Sequence, residues 1–418
     1  MTTAWPVVRD VPYMGVIHVV AEAAKLGFVN GHPDWCNLGQ GQPEVGDIEG
    51  APARLNVMQL EGIDHAYGPV GGTTALRQAV ADYYNRLFRS GHQQKYQAAN
   101  VAIAAGGRLA LSRLLSVLSD ARVGYQTPDY TAYEDMLAAQ AHRIISVHVP
   151  TTAREDFKVD PDRFGKVIRE QRLNAYLLSN PCNPTGQLLH ADELDAYVST
   201  SRRTGCVLLL DEFYSHFIYA KNGSPGAGAV SAAEHVGDVE RDPVVIIDGL
   251  TKNFRYPGWR VGWIVGPSEI IEQVTRAASS IDGGPPATVQ RAALEVLAPA
   301  RADQETQALR TTFARKRQLM LDVLTKLGVR VPHQPRGTFY VWGDICGLPA
   351  PYNDAESLFR AALERKVMVV PGRFFDVNPG GRRTPDPSYE QWVRFSFGPP
   401  ERNMQLGLSR LQELLSQG

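Results

Sequence analysis

Val244-Val245-Ile246-Ile247-Asp248-Gly249-Leu250-Thr251-Lys252-Asn253-Phe254-Arg255-Tyr256-Pro257-Gly258-Trp259-Arg260 is the stretch on which the fold turns. Its first four residues are apolar without alternation, the signature of a short strand buried on both faces. A polar loop follows, and residues 261–265 open a second apolar run. Working back along the chain, similar runs occur at 101–105, 121–125, 144–149, 175–179 and 207–210, separated by helical patterns. Seven such strands alternating with helices predict an α/β domain with a mostly parallel sheet covered on both faces. Functional loops then belong at the C-terminal ends of the strands.

After Pro285-Pro286 the pattern changes to long helical stretches over 287–327, which lead to a strand-like segment at 337–342. This marks a second subdomain, as expected for 418 residues, a length beyond which one core stops growing. The helix around 17–26 needs a core to pack on and is assigned to the same unit. The expected division is 51–290 for the large domain, with 1–50 and 291–418 forming a smaller α+β domain. The Gly/Pro-rich segment 377–387 reads as a surface loop.

A formal net charge of −1 gives no footprint for nucleic acid or an anionic membrane. The longest apolar runs fall far short of the ~20 residues of a membrane span. Residues 1–10 lack a basic stretch followed by an apolar one, so no secretory signal is expected and a cytoplasmic location follows. Cys36, Cys182, Cys206 and Cys346 form no Cys-x-x-Cys pair, which argues for free thiols and against a metal site. Partners are then small molecules or further copies of the chain.

Within the opening stretch, Lys252 and Arg260 stand eight residues apart with a Pro-Gly turn between them that bends the chain back toward one site. A lysine that must act as a nucleophile has to lose its proton, and a nearby cation with loss of water favours that. Arg260 supplies the positive field and a grip for a phosphate. Asp211, after the apolar run 207–210, puts a carboxylate at a buried strand end, where a helix N-cap is the alternative. Tyr214 follows three residues later. Asn180-Pro181-Cys182-Asn183-Pro184-Thr185-Gly186 makes a rigid loop that fixes Asn183 at another strand end. Gly106-Gly107-Arg108 opens a helical pattern at 109–118 directly after a strand, a cradle for phosphate at a helix N-terminus. Tyr130, after Pro128-Asp129, is a candidate to stack on an aromatic ligand.

In this order and spacing these residues resemble the class I/II aminotransferases, the aspartate aminotransferase-like family of pyridoxal 5′-phosphate (PLP) fold type I. The likeness runs the length of the chain, from Asn37-Leu38-Gly39-Gln40-Gly41-Gln42-Pro43-Glu44 through Tyr67-Gly68-Pro69 to Arg394-Phe395-Ser396-Phe397. The resemblance implies PLP carried on Lys252 as a Schiff base, with the same lysine shuttling the Cα proton. It implies Asp211 opposite the pyridine nitrogen, Asn183 and Tyr214 as donors to the ring oxygen, and Tyr130 on the ring face. Gly107, Arg108 and Arg260 are implied as phosphate ligands, with Tyr67 reaching that phosphate from a partner subunit, hence a homodimer. Arg394 is implied as the clamp on the substrate α-carboxylate, a task suited to the guanidinium fork. Gly41 adds a backbone contact, and Asn183 also faces the substrate.

The reaction so implied moves an amino group between an amino acid and a 2-oxo acid. The alternative within the same cofactor chemistry is an aminocyclopropane-carboxylate synthase-like lyase or carbon-bond-forming enzyme, with S-adenosylmethionine as a candidate substrate, because the cofactor cleaves whichever Cα bond is aligned with its ring. A regulator of the same fold would carry an added basic DNA-binding region. Three positions depart from the family pattern. Gly249 replaces a phosphate-binding serine, Arg108 adds a charge, and Asp248 has no assigned partner.

Overall fold

The computed structural model describes residues 5, 7, 8, 11–226 and 228–416; much of the segment 1–10, read above for a signal, lies outside them. Its strands are β1 (Cys36–Asn37), β2 (Val101–Ala104), β3 (Ala121–Thr127), β4 (Ile144–Pro150), β5 (Ala175–Ser179), β6 (Val207–Asp211), β7 (Val244–Gly249), β8 (Gly262–Val265), β9 (Tyr340–Asp344), β10 (Val367–Met368), β11 (Val370–Pro371) and β12 (Trp392–Ser396). Seven of them form one sheet in the order β2-β8-β7-β6-β5-β3-β4. All pairs in it are parallel except those made by β8, which runs antiparallel to both β2 and β7. The expected mostly parallel α/β sheet is therefore present.

Its strands are apolar on both sides because both sides are covered. Leu209, Val245, Ile247 and Ile264 point into one core layer. Their neighbours Leu208, Leu210, Val244 and Ile246 point into the other, as the period of two requires. The parallel register sets Asp211 beside Ile247 and Ser179 beside Asp211, so β5 and β6 end level with one another and β7 runs on to Gly249. Every loop that leaves this edge opens on the same side.

A three-stranded antiparallel sheet, β11-β12-β9, and the parallel pair β1-β10 make the remaining β structure. The N-terminal helix Gly15–Lys25 packs beside β10 and β11, and the C-terminal helix Glu401–Ser416 beside β1. The two chain ends thus share one core, with Val19, Cys36, Val370 and Leu411 in a common apolar cluster.

The helical stretch expected over 287–327 is two helices, Ala287–Val296 and Pro299–Lys326. Pro299 has no N–H to continue the first helix but suits the first turn of the second. The strand expected at 337–342 begins only at Tyr340, since Thr338 has φ +65° and Gly337 lies against the Pro181 ring. The loop 377–387 is exposed from Gly380 to Pro387 apart from the half-buried Arg383, which pairs with the buried Asp376 and pins the loop at its base.

Candidate active site

Lys252 sits in the turn that leaves β7, where its Nζ donates to the Gly41 carbonyl. Burial strips water from the amine, and the guanidiniums of Arg394, Arg108 and Arg260 repel its charge. Together they overcome the attraction of Asp211 and push its pKa down to about 7. The amine is available as a nucleophile near neutrality.

Asp211 closes β6. No helix follows it, so the N-cap alternative falls away; Oδ1 instead accepts a bond from the Phe213 amide at 3.4 Å. Oδ2 accepts the Tyr133 hydroxyl at 2.9 Å. Burial raises this carboxyl to about 6, with the Tyr133 bond and the charge of Lys252 holding it down. Tyr133 was not foreseen, although it lies one helical turn beyond Tyr130 and the two rings meet edge to face with centroids 5.4 Å apart. The spacing of three was the available signal.

Tyr214 exchanges a hydrogen bond with Tyr340, hydroxyl to hydroxyl, at 2.8 Å. Tyr340 in turn lies under Arg394, whose guanidinium carbon is 4.0 Å from the ring centroid. Arg394 is 2% exposed. Its Nη1 donates to Asn183 Oδ1 at 2.9 Å and its Nη2 to the Gly39 carbonyl at 2.8 Å, while its buried Nε has no hydrogen-bond partner. A buried guanidinium with a spare donor and no carboxylate is set up to receive one.

The rigid loop after β5 does what its prolines suggest: the Asn183 amide donates to Ser179 Oγ at 3.1 Å, fixing the residue directly above the strand end. Asp129 accepts from both the Ser179 hydroxyl and amide. Burial raises its carboxyl to about 8.

The helix expected over 109–118 spans Gly107–Ser116, and no side chain caps its N-terminus. Gly106 has φ +95°, and a Cβ there would run into the Arg260 guanidinium; one on Gly107 would enter the Phe213 ring. The two glycines are thus demanded by close approach, and Arg260 is laid against the open helix end. Arg108 is exposed at the same end and its Nε donates to the Tyr130 hydroxyl at 3.1 Å. Free amides, a positive helix end and two guanidiniums form a receptor for a phosphate. At Gly249 a Cβ would collide with the Val261 carbonyl and the Gly262 backbone. A serine has no room there, which explains its absence.

The structure brings Lys252 to Gly41, Asn183 to Arg394, Arg108 to Tyr130 and Arg260 to Gly106. Tyr67 is different: its side chain is fully exposed on the surface of the single chain. Asp248 is buried among polar partners beneath the Lys252 turn.

The family model for aminotransferase class I and II matches residues 33–411. The chain belongs to the class I and II aminotransferases. A probable N-succinyldiaminopimelate aminotransferase of Mycobacterium tuberculosis is 30% identical over 406 residues, 94% of each chain. An aspartate aminotransferase of Pyrococcus abyssi is 26% identical over 401 residues, 94% of this chain and 95% of its own. The structure of an aspartate aminotransferase from Thermus thermophilus with maleate matches with a TM-score of 0.77 at 25% identity, covering 97% of both chains. This aminotransferase has their fold, PLP fold type I, and these relatives do not favour the carbon-bond-forming alternative. No helix among the described residues is long and apolar enough to cross a membrane.

Proposed function

We propose that this aminotransferase works with pyridoxal 5′-phosphate attached through Lys252, and moves the amino group of an α-amino acid to a 2-oxo acid. The observation that carries the reading is Lys252 itself, a desolvated amine facing three guanidiniums, with a pKa near 7 and a carboxylate at the neighbouring strand end. The chain's donors fit the group: Gly107, Arg108 and Arg260 would hold the phosphate, Asp211 the ring nitrogen, Asn183 and Tyr214 the ring oxygen, and Tyr130 the ring face. When bound, the cofactor supplies an electron sink for charge left at the substrate Cα.

The chain's own groups divide the remaining work. Arg394, bonded to Asn183, orients the substrate α-carboxylate together with the Gly41 backbone, so that the Cα–H bond is presented to Lys252. Nζ of Lys252, uncharged above about pH 7, takes that proton. Tyr133 keeps Asp211 ionised and aimed by donating to Oδ2. Sodium borohydride followed by peptide mass mapping tests the attachment. A reduced pyridoxyl adduct on Lys252 is expected, and an unmodified Lys252 peptide rejects the reading.

The same reading makes the enzyme a cytoplasmic homodimer in which Tyr67 serves the partner subunit's phosphate site. Val57, Leu60 and Ile63 are exposed on the same segment, as an apolar face awaiting a second copy would be. It also divides the chain into a large domain of 51–290 and a small one of 1–50 and 291–418. Limited proteolysis should cut between these units before cutting within them.

A further inference from the structure

Asp248 lies at the end of β7, four residues before Lys252, and is 2% exposed. Its two carboxyl oxygens accept from Asn253 Nδ2 at 3.0 and 2.9 Å, Oδ1 also accepts the Gly249 amide at 2.6 Å, and Oδ2 accepts Ser215 Oγ at 3.3 Å. Asn253 is fully buried too. It donates to Ser215 Oγ at 2.9 Å, and its Oδ1 accepts the His216 amide at 3.1 Å. Three side chains therefore tie both ends of the turn that carries Lys252 to the segment that carries Tyr214 and leads away from Asp211.

We propose that Asp248, with Asn253 and Ser215, is the positioning device that holds the Lys252 amine at its working distance from Asp211 and Tyr214. The inference rests on Lys252 being the cofactor-bearing residue. Within the turn the Thr251 hydroxyl is buried and, among the described residues, without a hydrogen-bond partner, so it does not share this task. A buried carboxyl with all its bonds directed at two loops fixes both, where an apolar residue would leave three donors unmatched. Glu212 and Asp211 are the carboxyls that act on it, and Tyr83 and Tyr84 are the phenols it acts on. Burial and those two carboxylates raise the Asp248 carboxyl well above the usual range.

The experiment compares purified holoenzyme of the wild type with Asp248→Ala, Asp248→Asn and Ser215→Ala. The absorbance of the bound cofactor is titrated against pH, kcat and KM are measured with one amino donor, and melting is followed in parallel. Asp248→Ala should shift the titration midpoint by about one pH unit or more and lower kcat on the order of tenfold or more with KM little changed, the scale on which small misplacements act. Asp248→Asn, which keeps the shape and one acceptor, should restore the midpoint toward the wild type, and Ser215→Ala should move it in the same direction as Asp248→Ala by less. A lowered melting temperature with midpoint and kcat unmoved overturns the proposal. If Asp248→Ala does not fold, Ser215→Ala decides, and an unmoved midpoint there overturns it equally. Borohydride labelling of the wild type separates the two ideas. No label on Lys252 rejects the reading beneath the proposal, whereas a labelled Lys252 with unmoved midpoints in the variants rejects the positioning role alone.

Discussion

In the role proposed for it Lys252 acts only while its amine is uncharged, and its surroundings decide when that is. Its folded pKa of about 7 lies below the ordinary 10.5, so between those values the native state has released a proton that the unfolded chain still holds. By linkage this residue makes stability rise with pH through that window, and the contribution is lost as pH falls toward 7. In protein stripped of cofactor, acylation of Lys252 by a small anhydride should rise through a midpoint near pH 7, read by peptide mass; a midpoint near that of surface lysines would contradict the desolvated site. At Arg394, replacement by Lys removes a forked pair of bonds from a buried position. The expected loss is about 1.5–3 kcal/mol of substrate binding, seen as a rise in KM for amino acids. Arg108→Ala should weaken cofactor retention by a similar ~1.5–3 kcal/mol, measured as an increased Kd for pyridoxal phosphate, since it strips one guanidinium from the helix end. An unchanged Kd would assign Arg108 to Tyr130 alone.

At the scale of elements, the sequence made the sheet plain and its surroundings less so. Runs such as 207–210 and 244–247 have no polar alternation, and that is legible because burial on both faces leaves no other solution. The break at Pro299 was legible in principle, yet the apolar periodicity flows across it and hid it. Thr338 is a harder case. Its φ of +65° sits next to Gly337, which packs on Pro181, a contact between distant segments that local propensity does not reveal. The candidate site follows the same division. Lys252, Asp211, Asn183 and Arg260 announce themselves through strand ends and motif spacing, whereas Arg394 comes only from the family resemblance. Tyr133, Tyr340 and the Asp248–Asn253–Ser215 cluster depend on partners far apart in sequence or on side-chain direction. Gly249 gives this scale its test. Gly249→Ser forces a side chain against the Val261 and Gly262 backbone, and overpacking of this kind costs about 1–3 kcal/mol. Chemical denaturation should show that loss with no compensating gain in cofactor affinity.

For the whole molecule, the exposed Tyr67 makes the sharpest prediction. If each subunit lends Tyr67 to the other's site, a mixture of Lys252→Ala and Tyr67→Ala proteins, unfolded and refolded together, contains heterodimers with one complete site. Activity above that of either variant alone is expected. A mixture no more active than its parts would mean that Tyr67 serves no neighbouring site. The interior network that locks the N-terminal segment to the long helix Pro299–Lys326 acts on the same scale. Lys316, fully buried, pairs with Glu44 at 2.7 Å and points also to the Gly398 carbonyl. Lys316→Ala leaves the Glu44 charge without its partner, and the expected loss is about 3–5 kcal/mol in global unfolding.

The clamp that joins Arg394 to Gly39 and Asn183 spans nearly the full length of the polypeptide. During translation, then, the sheet that leads into Lys252 leaves the ribosome well before Arg394, the proposed substrate clamp. A nascent chain can begin to fold around the Lys252 amine before Arg394, and with it the proposed grip on a substrate carboxylate, has been made.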